Sequence, residues 1–176
     1  MEPSGSAVVM AQMPSLRPDE SAVLKSRILA VLDENRVMTV ATVRPDGWPQ
    51  ATMVGYVNDD LTLYFVVARD SQKLANIAGE PRISIALGCE SPDRIRGLSM
   101  AALASEVMDT AEIERLNQRI WDRYPEQTVF APREVATAVM RAEPQLISLI
   151  DHDKGPGEPE LFEVAAGIVV GRRAGD

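Results

Sequence analysis

The sequence predicts a mainly β protein with peripheral helices, built on a six-stranded antiparallel sheet closed, or nearly closed, into a small barrel. Three observations carry this expectation. Runs of β-branched and apolar residues recur at close spacing, tight turns of Pro, Asp, Asn and Gly separate them, and only two or three segments show helical periodicity. Closure suits such a set of strands, because an open antiparallel sheet leaves unpaired edges.

The chain has 176 residues, enough for one domain with a core of its own. Hydrophobic content of 45% and charged content of 25% are those of a soluble globular protein. The net charge is −8 and no run of Lys and Arg occurs, which argues against a nucleic-acid or anionic-membrane partner. The single cysteine, Cys89, is compatible with a reducing cytoplasm. No apolar run reaches the length of a membrane span, and Glu2 stands where a signal peptide carries a cation. The expected location is therefore cytoplasmic.

Residues 1–18, with Pro3, Pro14 and Pro18, read as a flexible N-terminal arm. Residues 19–154 read as the domain. Its first helix is "PDESAVLKSRILAVLDENR", where Leu24, Ile28, Val31 and Leu32 form a stripe and Asp19 or Ser21 can cap the start. "VMTVATV" is the first strand. In "RPDG", Pro45 and Gly47 take the second and fourth positions of a type I turn. "WPQATMVGYV" returns as the second strand, with Pro49 near its start placing that end at an edge. "NDD" is a second turn. "LTLYFVVA" is the third strand, with Leu61, Leu63, Phe65 and Val67 on one face.

"RDSQKLANIAGEP" is a short helix: Ser71 is its N-cap, Leu74 and Ile77 its apolar side, Gly79 a C′ residue and Pro81 a stop. "RISIALG" is the fourth strand, "CESPDRIRG" a loop, and "LSMAALASEVMD" the fifth strand. "TAEIERLNQRIWDRYPE" is an amphipathic helix with Ile113, Leu116, Ile120 and Tyr124 as its stripe and Thr110 as its cap. "PREVATAVMRAEP" is a further candidate helix, and "PQLISLIDHD" the sixth strand. Residues 155–176 are a Gly- and Pro-rich C-terminal segment whose apolar stretch the sequence does not assign to the core.

The stretch from Arg69 to Lys73 concentrates donors and cations at the end of a strand. A helix N-terminus exposes unpaired N–H groups and partial positive charge. Ser71 adds a hydroxyl, Gln72 an amide, Lys73 an ammonium, and Arg69 lies two residues before the cap. Together these are the parts of a phosphate cradle. A solvated helix start is the simpler reading of the stretch alone, and Asp70 counts against an anion there. His152 is the only histidine, and "DHD" reads as a solvated turn rather than a metal site, so no metal is expected. No nucleophile elbow, P-loop or dinucleotide fingerprint is present.

Several of these motifs occur in a familiar order: Ala41-Thr42, Asp46-Gly47-Trp48-Pro49, Leu63-Tyr64-Phe65, Ser71-Gln72-Lys73, Asn76 and Pro81-Arg82-Ile83-Ser84. The set resembles the FMN-binding split-barrel superfamily, the pyridoxamine 5′-phosphate oxidase-like proteins. The resemblance implies a six-stranded split β-barrel and a homodimer with FMN at the subunit interface. It implies that Ser71, Gln72 and Lys73 meet the FMN phosphate and that Val66 and Val67 present backbone to the flavin. Gln50, Ala51, Thr52, Met53 and Val54 would line the isoalloxazine and ribityl chain, and Arg94 and Arg96 would reach a partner's flavin. True pyridoxamine phosphate oxidases carry arginine at the positions of Ala51 and Gln72, and an Arg-x-His motif near the C-terminus that this chain lacks. Arg69 is the candidate replacement for one missing cation. The resemblance thus implies a related FMN-dependent oxidoreductase acting on a small molecule, and not a true pyridoxamine phosphate oxidase. It names no catalytic residue. The alternatives are an F420-dependent reductase of the same fold, or a non-catalytic flavin-binding or stress-related module.

Overall fold

The computed structural model describes residues 16–91, 94–123, 136–151 and 159–173. The elements run α1 (Pro18–Glu34), β1 (Val37–Val43), β2 (Pro49–Gly55), β3 (Val57–Asp59), β4 (Thr62–Ala68), α2 (Gln72–Gly79), β5 (Arg82–Ser91), β6 (Arg94–Glu106), α3 (Thr110–Arg123), β7 (Thr137–Asp151), β8 (Glu160–Ala165) and β9 (Ile168–Arg173). All nine strands join one antiparallel sheet in the order β2-β1-β5-β6-β7-β4-β3, with the β8–β9 hairpin branching from β7. The two ends of that order, β2 and β3, are joined through Tyr56 alone, so the sheet must curl until they meet. No ladder of hydrogen bonds joins β2 to β3 or β4 among the described residues.

Six strands were expected and nine are present among the described residues. One extra strand arises because "WPQATMVGYV" breaks at Tyr56, whose N–H turns away to Arg36 O and whose hydroxyl donates to Leu32 O at 2.7 Å. The "NDD" turn shrinks accordingly: Asn58 and Asp59 belong to β3, and Asp60 turns the chain at φ 58°. The other two strands, β8 and β9, come from the C-terminal apolar stretch, which buries Phe162, Val164 and Val169 in the main core.

The expected helix over "PREVATAVMRAEP" is also corrected, since residues 137–143 are the first half of β7. Ala, Met and Arg favour helix locally. Here the alternation of Ala138, Met140 and Ala142, all buried, fits the vacant edge of β4, and pairing overrides propensity. Pro144 interrupts that long strand without ending it, because the β6–β7 register shifts opposite it, between Ala101 and Ala102. The expected "CESPDRIRG" loop contracts to a hairpin end, with β5 and β6 pairing out to Ser91 and Arg94.

Two helix starts differ from expectation. α1 begins at Pro18, which fits the first helical position because no N–H is needed there. Its N-cap is Arg17, whose N–H donates to Glu20 Oε2 at 3.1 Å. Ser21 instead donates to Val169 O at 2.7 Å and ties α1 to β9. At α3, Asp109 rather than Thr110 accepts from the first free N–H, that of Ala111. Tyr124 lies outside the described residues. α1 buries Leu24, Ile28, Val31 and Leu32 as its stripe predicts. Each such burial contributes about 1.5–3 kcal/mol. α3 covers the other face of β3, β4 and β7, where Leu116 and Ile120 pack on Tyr64, Val57 and Val139. Tyr64 donates to Glu112 Oε1 at 3.0 Å, and Glu112 also pairs with Arg141, so a polar clasp fixes this helix to the sheet.

Candidate functional site

The candidate site forms where β2, β4 and the start of α2 come together. β3 pairs with β4 only as far as Tyr64, while β7 occupies the other edge of β4 from Leu63 to Ala68. Among the described residues, Phe65 to Ala68 therefore have a sheet neighbour on one side only. β2 likewise pairs with β1 alone among the described residues. These two unpaired edges approach each other without forming a ladder. Backbone donors and acceptors along them are free to meet a flat ligand in a way that a closed barrel would forbid.

Residues 50–54 divide between two faces. Gln50, Thr52 and Val54 are half-buried and turn inward, whereas Ala51 and Met53 are exposed on the outer face. The Thr52 hydroxyl is buried and has no hydrogen-bond partner among the described residues. Such orphaned groups are rare in folded proteins, and a bound molecule is one way of satisfying them. On β4, Val66 packs beneath α3 and Val67 packs in the main core with Ile77. What this strand end offers the gap is its backbone, not those side chains.

α2 begins as its sequence predicts. Ser71 caps it, accepting from Leu74 N–H at 3.3 Å while donating to Ala68 O at 2.6 Å. Gly79, expected beyond the helix, is its last residue, and Glu80 supplies the C-cap. Lys73 is half-buried, and burial holds its ammonium below the usual lysine range. Among the described residues no carboxylate pairs with it. Arg69 is engaged elsewhere: it forms an ion pair with Glu106 on β6 at 2.7 Å, and its N–H donates to Ala136 O.

One residue outside the expected site set organises this end of the gap. Asn76 is buried, one turn into α2. It donates to Thr42 Oγ1 on β1 at 2.9 Å and to Gln50 Oε1 on β2 at 3.0 Å, and it accepts from Gln72 Nε2 at 2.8 Å. Thr42 and Gln50 are themselves directly opposed in the β1–β2 ladder. Asn76 and Thr42 are both motif residues, but nothing in their types distinguishes a buried tie from a surface one.

Arg96 does not join this group. It is buried on β6, with its guanidinium on Glu34 of α1 at 2.6 Å. Arg94 forms the first position of β6, opposite Ser91. Among the described residues no cluster of His, Cys, Asp and Glu could hold a metal ion, and no helix is long and apolar enough to cross a membrane. His152 lies outside the described residues.

The sequence pattern of the pyridoxamine 5′-phosphate oxidase family matches residues 24–151. General stress protein 26 of Bacillus subtilis is 26% identical over 139 residues, spanning 78% of this chain and 96% of that relative. Among solved structures, a putative pyridoxamine 5′-phosphate oxidase from Listeria innocua is 26% identical, with a TM-score of 0.60 over 72% of this chain and 98% of its own. A haem-binding protein from Mycobacterium smegmatis shares the fold at 22% identity, with a TM-score of 0.66 over 84% of this chain and 59% of its own.

Proposed function

The chain belongs to the pyridoxamine 5′-phosphate oxidase family, and from that membership we propose that it is an FMN-binding flavoprotein serving electron transfer to a small-molecule substrate. The observation that carries this reading is Lys73, a half-buried ammonium without a described counter-charge, set beside the open N–H groups of α2. A phosphate monoester supplies the missing charge. The unpaired edges of β2 and β4 and the orphaned Thr52 hydroxyl supply polar contacts for the remainder of the cofactor. When bound, FMN supplies the redox chemistry, and the protein supplies binding, orientation and exclusion of water.

The reading includes a homodimer. The outer face of β1, β2, β5 and β6 carries mostly small and apolar residues, with Arg82 at the start of β5 as a charged exception. Val37, Val43, Met53 and Leu103 are exposed on it, between alanines and serines of the neighbouring strands. Exposed apolar patches of this kind mark association surfaces. Arginines are missing at positions 51 and 72, so oxidation of pyridoxamine phosphate is not part of the proposal. A lone cysteine is compatible with the reducing cytoplasm in which this reading places the protein.

The test is to purify the protein, denature it, and identify the chromophore released. FMN supports the reading. Release of haem or F420, or a colourless protein that does not take up added FMN, overturns it.

A further inference from the structure

We propose that Asn76 is a positioning residue that turns Gln50 into a neutral anion-binding donor, in place of the cationic side chains the site lacks. The inference rests on the flavoprotein reading, since it names what holds the cofactor's phosphate besides Lys73.

The argument is one of hydrogen-bond capacity. A carboxamide has two N–H donors and an oxygen with two lone pairs. Both Asn76 donors are spent, one on Thr42 and one on Gln50, and its oxygen is taken by Gln72. Asn76 is buried, so it is held by these partners and by packing, not by water. This arrangement fixes the orientation of both glutamines. Gln50 has its oxygen committed to Asn76, so both of its N–H groups remain to be satisfied. Gln72 has committed one N–H and retains the other. Neither side chain has a further partner among the described residues.

The consequence is a set of amide donors gathered round Asn76, of which Gln72 stands between Ser71 and Lys73 at the start of α2. Gln50 brings its share from β2, the facing side of the gap. Without Asn76, the Gln50 amide could turn its oxygen to the same place and repel an anion. The network therefore supplies polarity and not merely attachment. One ammonium with oriented neutral donors can hold a phosphate, because amide N–H groups keep their partial positive charge without the repulsion that clustered cations suffer before the ligand arrives.

Two variants and one spectroscopic readout test this. Gln50→Glu keeps an acceptor for Asn76 but removes both donors. Asn76→Asp forces Gln50 to donate inward. In each variant FMN affinity should fall at least tenfold, while affinity for riboflavin, which lacks the phosphate, should change less than threefold. Should Asn76→Asp fail to fold, Gln50→Glu alone decides the point. In wild-type protein labelled with 15N-glutamine, inorganic phosphate should shift the Gln50 side-chain amide pair, identified by its loss in Gln50→Glu. Unchanged FMN affinity in Gln50→Glu, an equal loss for riboflavin, or a Gln50 amide indifferent to phosphate overturns the proposal while leaving FMN binding intact. A Gln50 amide that responds to phosphate in a protein that does not bind FMN sustains the anion site and defeats the flavin reading instead.

Discussion

Asn76 Nδ2 lies 2.9 Å from Thr42 Oγ1, a buried bond that pins the middle of α2 to β1. The same nitrogen reaches Gln50 on the neighbouring strand, so one side chain spans a helix and two strands. Thr42→Val replaces the hydroxyl by a methyl of similar size and leaves one Asn76 N–H without an acceptor. The expected cost is about 1–3 kcal/mol, read as a shift of the urea midpoint with an unchanged slope.

Lys73→Ala should weaken FMN binding by roughly 10- to 150-fold, the loss of one charge-assisted hydrogen bond of about 1.5–3 kcal/mol. Lys73→Arg should retain most of the affinity. Flavin fluorescence titration measures both. Burial lowers the free Lys73 pKa, and a bound phosphate favours the charged form. FMN affinity should therefore decline as pH rises through that lowered value, which lies below 10.5. An affinity flat up to pH 11 would place the phosphate away from Lys73.

Glu80 closes α2 onto β5. Hydrogen bonds from the Arg82 side chain and then its backbone lower the carboxyl from 4.5 to about 2. The folded value lies below the unfolded one. The bond thus contributes fully above about pH 4.5, and its contribution is lost as pH falls towards 2. NMR titration should give a Glu80 midpoint near 2, and Arg82→Ala should return it towards the ordinary carboxylate range.

Gly88 and Gly97 face each other in the β5–β6 hairpin. A Cβ built on Gly88 would come within 2.7 Å of Arg96 O and 3.1 Å of the Gly97 Cα, both backbone atoms. Gly88→Ala must therefore push the strands apart, at an expected cost of about 1–3 kcal/mol. A thermal midpoint equal to that of the wild type would show that the hairpin relaxes freely.

Met53 is 74% exposed on the outer apolar face, on its edge strand β2. Met53→Asp places a charge there without touching the core. Sedimentation should show a dimer in the wild type and a monomer in the variant, with weaker FMN retention in the monomer. A wild type that sediments as a monomer refutes the proposed dimer.

The sequence by itself determined the elements whose signals are local. The stripe Leu24, Ile28, Val31 and Leu32 fixed α1, because a 3.6-residue period has one burial solution. Pro45 and Gly47 fixed the first hairpin, where Gly47 N–H donates to Arg44 O at 2.8 Å and Gly47 takes φ 85°. Ser71 fixed the start of α2. The order of short motifs pointed to the family whose pattern matches residues 24–151.

Only the tertiary structure decided what depends on partners distant in the chain. "TAVMRA" became a strand because β4 offered it an edge. Arg96 became a buried partner of Glu34 because α1 lies against β6. Arg69 was drawn to Glu106 at the end of β6, one strand beyond β7 in the sheet. Asn76 gained its place in the site from Thr42 and Gln50, which are 34 and 26 residues away in sequence. Side-chain type states what a residue can donate or accept. Which group receives it is set by the path of the backbone, and no local pattern encodes that path.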